Sequence, residues 1–206
     1  MGAGREPLAS GLYAAEHRAL RELHAMTSQL ETHWDRLGER LGGPAGETLA
    51  GGASSARELL GELGERTGAH GLHGFPAAQG VGGRLANLRN VAGDLLLERN
   101  QALRAAVLDV AHVTTLLAYL SALADRRGDA MLAAWHRRWE VRLREAEERV
   151  MATIVALAED PGDAILPASQ TTAGRAGHGI ANALGTLGEA IDGSPVGRAA
   201  RKVGGR

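Results

Sequence analysis

Five side chains in this sequence are of types that hold a metal ion or move a proton, and they fall within or beside stretches where a helix should be apolar: Glu16, Asp109, His112, His136 and Glu140. Glu16 stands in a stripe otherwise built from Tyr13, Leu20, Leu23, Thr27, Leu30, Trp34, Leu37 and Leu41, with steps alternating between three and four residues. That is the seam of a helix packed lengthwise on other helices, where an unpaired carboxylate costs several kcal/mol. Asp109 and His112 interrupt one of the most apolar stretches of the chain. Their three-residue spacing lets both side chains reach one ion. His136 and Glu140 lie one helical turn apart beside a stripe of Leu132, Trp135, Trp139, Leu143, Ala146 and Val150. Carboxylates and imidazoles facing inward from separate helices are donors for iron or manganese.

The helices that must position these groups are marked out by glycine. There are 29 glycines in 206 residues, yet only Gly128 falls between residues 94 and 161. This predicts two long helices, about Asp94–Arg127 and Asp129–Glu159. Arg126-Arg127-Gly128-Asp129 supplies last-turn cations, a terminating glycine and an N-cap between them. So short a link makes them an antiparallel hairpin. A first helix is expected from near Pro7 to Gly42-Gly43-Pro44. A weaker second one, about Ser54–Arg66, is interrupted by glycines. Residues 84–91 read as a preface to the third helix. The fold expected is therefore all-α: an antiparallel bundle of three long helices and a weaker one over residues 1–160. Residues 161–206, with ten glycines and a net charge of +2, read as a flexible tail carrying a short amphipathic helix around Ile180, Leu184, Leu187 and Ile191.

The opening Leu12-Tyr13-Ala14-Ala15-Glu16 on a long first helix resembles the start of bacterial ferritin-like stress proteins. In that superfamily each half of a four-helix bundle gives one lone Glu and one Glu-x-x-His. The resemblance matches Glu16 to the first lone acid, Asp109 to the acid of the third helix, with His112 additional, and Glu140 to an acid of the fourth. The pattern departs elsewhere: His136 precedes Glu140 by four residues, and Glu58 and Glu62 are followed three residues later by Gly61 and Glu65. The resemblance thus implies a bundle with degenerate metal motifs. The same residues also admit a structural reading, in which Glu16 pairs with an arginine from a neighbouring helix and Asp109 and His112 are bonded within the core.

Composition narrows the remaining functions. The formal net charge is -1 and aromatic residues make up 3%, so neither a basic field nor stacking platforms point to nucleic acid. The absence of cysteine removes thiolate metal sites and thiol nucleophiles. The only lysine is Lys202, which excludes a P-loop, and Gly80-Val-Gly82-Gly83 follows no strand pattern. Serines stand in no Gly-x-Ser-x-Gly elbow. His70 and His73 lie among loop glycines, and His17, His24 and Glu31 line a surface face. Ala105–Ala124 has the length of a membrane span, but Asp109 alone would cost roughly 3 kcal/mol at a bilayer centre. The expectation is a cytoplasmic, non-catalytic bundle acting as a homo-oligomer or with a protein partner. Its alternatives are an iron or manganese protein and a tail directed to a membrane surface or protein shell.

Overall fold

In a computed structural model the described residues are 11–68, 70, 97–169, 171, 176 and 179. Among them four long helices form a bundle: α1 (Ala14–Leu41), α2 (Gly43–Gly68), α3 (Arg99–Arg127) and α4 (Ala130–Ala156). A 3-10 turn (Leu157–Glu159) and a short helix α5 (Pro161–Ala164) follow. No strand occurs among the described residues. The chain is an all-α helical bundle.

The α3–α4 hairpin is built as its sequence indicates. Gly128 adopts the left-handed conformation, φ 82°, that closes α3, and the Asp129 carboxylate caps α4 by accepting from the Leu132 N–H at 3.0 Å. Gly42 and Gly43 both have positive φ, so α1 turns into α2 at once. α1 begins at Ala14 rather than near Pro7, because Tyr13 is extended and Glu16 reaches back to its N–H.

The second helix differs most from expectation. It is not a weak piece over 54–66 but runs 26 residues, comparable to its neighbours. Its glycines lower helix propensity, yet two of them stand where any side chain would collide with α1. A Cβ on Gly52 would lie 2.1 Å from the Trp34 ring, and one on Gly46 would lie 2.5 Å from the Gly38 carbonyl. Close packing against α1 outweighs the propensity deficit, and Leu49, Ala53, Ala56, Leu59 and Leu63 are fully buried there.

Neighbours in the bundle are α1 with α2, α2 with α4, α4 with α3, and α3 with α1. Glu16 near the start of α1 meets Arg127 at the end of α3, and Glu62 near the end of α2 meets Trp135 near the start of α4. Every neighbouring pair is therefore antiparallel, while α2 and α3 run in the same direction, joined by residues 69–98. The order is up, down, down, up, with one long crossover.

Beyond residue 160, where the sequence places the end of the bundle, the chain folds back onto α3. One Arg99 nitrogen donates to both carboxylate oxygens of Asp163, at 2.6 and 2.7 Å, Asn100 donates to the Ala164 carbonyl, and Ala168 and Ser169 are buried. This strap pins the first turn of α3. The stretches around Arg84–Val91 and Ile180–Ile191 lie outside the described residues.

Candidate functional site

Of the five candidate residues Glu16 and His136 are fully buried, and the five are not brought together. Glu16 is fully buried by the α1 seam. The guanidinium of Arg127 meets it as a fork, Nη2 to Oε1 at 3.0 Å and Nε to Oε2 at 3.2 Å. Arg127 also lies 3.2 Å from Asp129 Oδ2. Burial pulls the Arg127 pKa down, but the bonds and charges of Glu16 and Asp129 outweigh it and hold it above its usual value. A buried carboxylate locked in this way joins the start of α1 to the α3–α4 turn.

His136 packs near that cluster with no exposed surface. Neither ring nitrogen has a hydrogen-bond partner among the described residues, and the ring meets Trp135 edge-on at 5.0 Å between centroids. Burial lowers its pKa to about 4; Arg127 adds to the fall, against an opposing pull from Asp129. At neutral pH it is an uncharged imidazole. Sequence spacing places it at the flank of the α4 stripe, whereas the structure puts it inside.

Asp109 faces α1, where its Oδ2 lies 2.5 Å from His33 Nδ1. His112 is not a core residue: it is half-exposed and bonds Glu22 Oε1 at 3.0 Å across the α1–α3 surface. Glu140 is held by Arg144, one turn along α4, at 2.9 Å. Four of the five residues are thus held in separate pairs, His136 is buried without a partner among the described residues, and the five are not assembled. Among the described residues no three His, Asp or Glu side chains gather into a group that could hold a metal ion. Among the described residues the donors do not make up the paired Glu and Glu-x-x-His set of the ferritin-like superfamily, in keeping with the degenerate motifs.

His33 escapes the sequence reading, and Glu62 is read there only as an acid lacking its Glu-x-x-His partner. His33 stands next to Trp34 at the margin of the α1 stripe and gives no periodic signal of its own role. Glu62 accepts from the indoles of Trp135 at 2.6 Å and Trp139 at 3.1 Å, and from Arg138 at 2.7 Å. Burial alone would raise the Glu62 pKa, but those indole bonds, with Arg138 and Arg66, hold it below the usual carboxylate value. Two tryptophans four residues apart were the available signal, since both indole N–H groups then point to one side of α4.

At the opposite end of the bundle an open cavity of about 620 Å³ is lined by Leu41, Pro44, Arg99, Leu103, Leu157 and Asp163 among others. Its Arg99 and Asp163 are bonded to each other. No nucleophile with an adjacent base lines this cavity.

The surface of α3 is the remaining departure from an ordinary bundle. Between Arg104 and Asp125 its exposed residues are Leu108, His112, Thr115, Tyr119 and Ala122. Leu108 is 72% exposed and Tyr119 47%. The exposed residues of α4 include Arg137, Arg138, Arg144, Glu145, Glu148 and Arg149, interspersed with Met131, Val141, Met151 and Val155. In the most apolar window of α3, mean hydropathy 1.6, only 39% is buried. α3 is long and apolar enough to cross a membrane by length and composition, a property shared by core helices of bundles. Comparison with protein-family models, with curated proteins and with solved structures finds no match.

Proposed function

We propose that this chain is a non-catalytic, ferritin-like helical-bundle protein that works by assembly or partner binding. The observation that carries this reading is the uncovered face of α3. A helix apolar on nearly all sides belongs inside an assembly, and here one side has no cover among the described residues. The exposed residues of α4, in the same hairpin, differ in carrying six charged side chains among its exposed Met131, Val141, Met151 and Val155.

Ferritin-like ancestry is supported by the up-down-down-up order with a single crossover. A stress-type role follows from the same resemblance, and it belongs to the proposal together with a cytoplasmic setting. Metal binding finds no support in the arrangement of donors: Glu16 is bonded to Arg127, Asp109 to His33 and Glu140 to Arg144. The Glu16–Arg127 fork and the Glu62–indole bonds act as fasteners between helices.

Light scattering on the purified full chain tests the reading. An assembly of at least twice the 21.5 kDa chain mass is expected, dissociated by Leu108→Glu. A strictly monomeric chain over the micromolar range overturns it.

A further inference from the structure

The open cavity at the end of the bundle lies beside the strap from which the rest of the chain departs. We propose that its occupant is the chain's own C-terminal segment, residues 180–191, laid with its apolar side on the cavity. This contact is independent of the assembly reading, which concerns α3.

The cavity, about 620 Å³, is of the size that buries a ligand. Its walls include Leu41 and Ala45 from the α1–α2 turn, Leu103 from α3 and Leu157 after α4. Apolar surface continues beside it. Ile165 and Leu166 are 53% and 43% exposed, and the Leu166 carbonyl accepts from the N–H of Arg99, a lining residue.

The sequence beyond the strap has a matching side. Ile180, Leu184, Leu187 and Ile191 follow steps of four, three and four residues. A helix with that spacing gathers all four within about 60° of arc and sets Glu189 on the opposite side.

Reach favours this segment over any other molecule. The Ala168 N–H donates to the Leu97 carbonyl at 3.0 Å, two residues before Arg99, and Ser169 is fully buried. Ile180 follows Ser169 by eleven positions, a separation with a root-mean-square span of about 18 Å. Over so short a tether the local concentration is on the order of millimolar. A second copy offers the same segment only at its bulk concentration. A contact of about 0.1 mM affinity met at about 1 mM leaves the cavity open roughly a tenth of the time.

Charge agrees. Glu159, Asp160 and Asp163 line the cavity against Arg99, three acids to one base, a net of -2. Residues 170–206 hold five basic groups, Arg175, Arg198, Arg201, Lys202 and Arg206, against Glu189 and Asp192, a net of +3. The segment and the mouth it meets are thus of opposite sign.

The absence of cysteine allows one thiol to report on the cavity, where Ala156 is an exposed lining residue. In the full chain, Ala156→Cys should react with a maleimide about tenfold more slowly than the same chain also carrying Leu184→Asp and Leu187→Asp. Glu189→Ala should leave the shielding in place. Met131→Cys, at the far end of α4, should react at one rate with or without the two aspartates. Dilution through the micromolar range should not change the shielding. Equal rates for Ala156→Cys with and without Leu184→Asp and Leu187→Asp overturn the inference, as does a loss of shielding from Glu189→Ala as large as theirs. Shielding that disappears on dilution also overturns it, because the occupant is then another copy. The mass by light scattering, which tests the assembly reading, stands apart from all of these outcomes.

Discussion

Replacing His136 by leucine should stabilise the bundle in acid and leave its helices unchanged. The imidazole is fully buried, both nitrogens lack partners among the described residues, and its pKa falls from 6.5 to about 4. Between those values the unfolded chain binds a proton that the folded chain refuses. Stability from this group is therefore complete above pH 6.5 and is lost as pH falls toward 4. At roughly 1.4 kcal/mol per pKa unit, the difference between pH 7.5 and pH 4.5 is about 2.5 kcal/mol. Leucine is of similar volume and does not titrate, so the variant should lack that part of the acid loss. At pH 7.5 removal of an unsatisfied buried group contributes about 1–3 kcal/mol, offset by about 0.5–1.5 kcal/mol from the lost edge-on contact with Trp135. The assay is urea denaturation followed by circular dichroism at both pH values. The native protein and His136→Leu share all other carboxylates and histidines, so the difference between their pH dependences isolates position 136. If both lose the same free energy between pH 7.5 and 4.5, the argument that His136 is buried and neutral is refuted.

Arg127→Ala leaves the Glu16 carboxylate buried without its partner and should cost about 3–5 kcal/mol by denaturant melting, whereas Glu16→Leu with Arg127→Met should recover most of it. Gly52→Ala should destabilise by about 1–3 kcal/mol through collision with Trp34, while Gly61→Ala, which faces open space, should stabilise by about 0.5–1 kcal/mol; thermal melts with opposite signs check both. Asp163→Ala should release the strap at the start of α3, read as faster amide exchange at Leu97–Ala102 with the α3–α4 turn unaffected.

The sequence carries the α3–α4 hairpin plainly, because glycine is confined to the turn and each turn residue has a distinct local role. It does not carry α2. Local propensity counts the glycines of that segment against a helix, and only the position of Trp34 on α1 explains why Gly52 belongs in one. The inward position of Glu16 was legible from its seam, but Arg127 presented itself as a last-turn cation, with nothing local to mark its reach to the start of α1. Asp109 was legible as an anomaly, and its partner His33 was not, since the pair joins positions 76 apart. For His112 and His136 the errors run in opposite directions. Each lies near the boundary between core and surface on its helix, where a small rotation decides burial and periodicity alone cannot fix it.

The order of the helices has a consequence for how the chain reaches its fold. Each hairpin closes across a very short turn, so α1–α2 and α3–α4 can form from local contacts alone. The bonds that join one hairpin to the other span far greater separations, from 73 positions between Glu62 and Trp135 to 111 between Glu16 and Arg127. Hairpins should therefore form early and dock late, with the Glu16–Arg127 fork among the last contacts made. At high concentration the docking surface of one chain's first hairpin is equally well met by another chain's second. Refolding at such concentrations would then produce exchanged dimers that reproduce every bond of the native bundle.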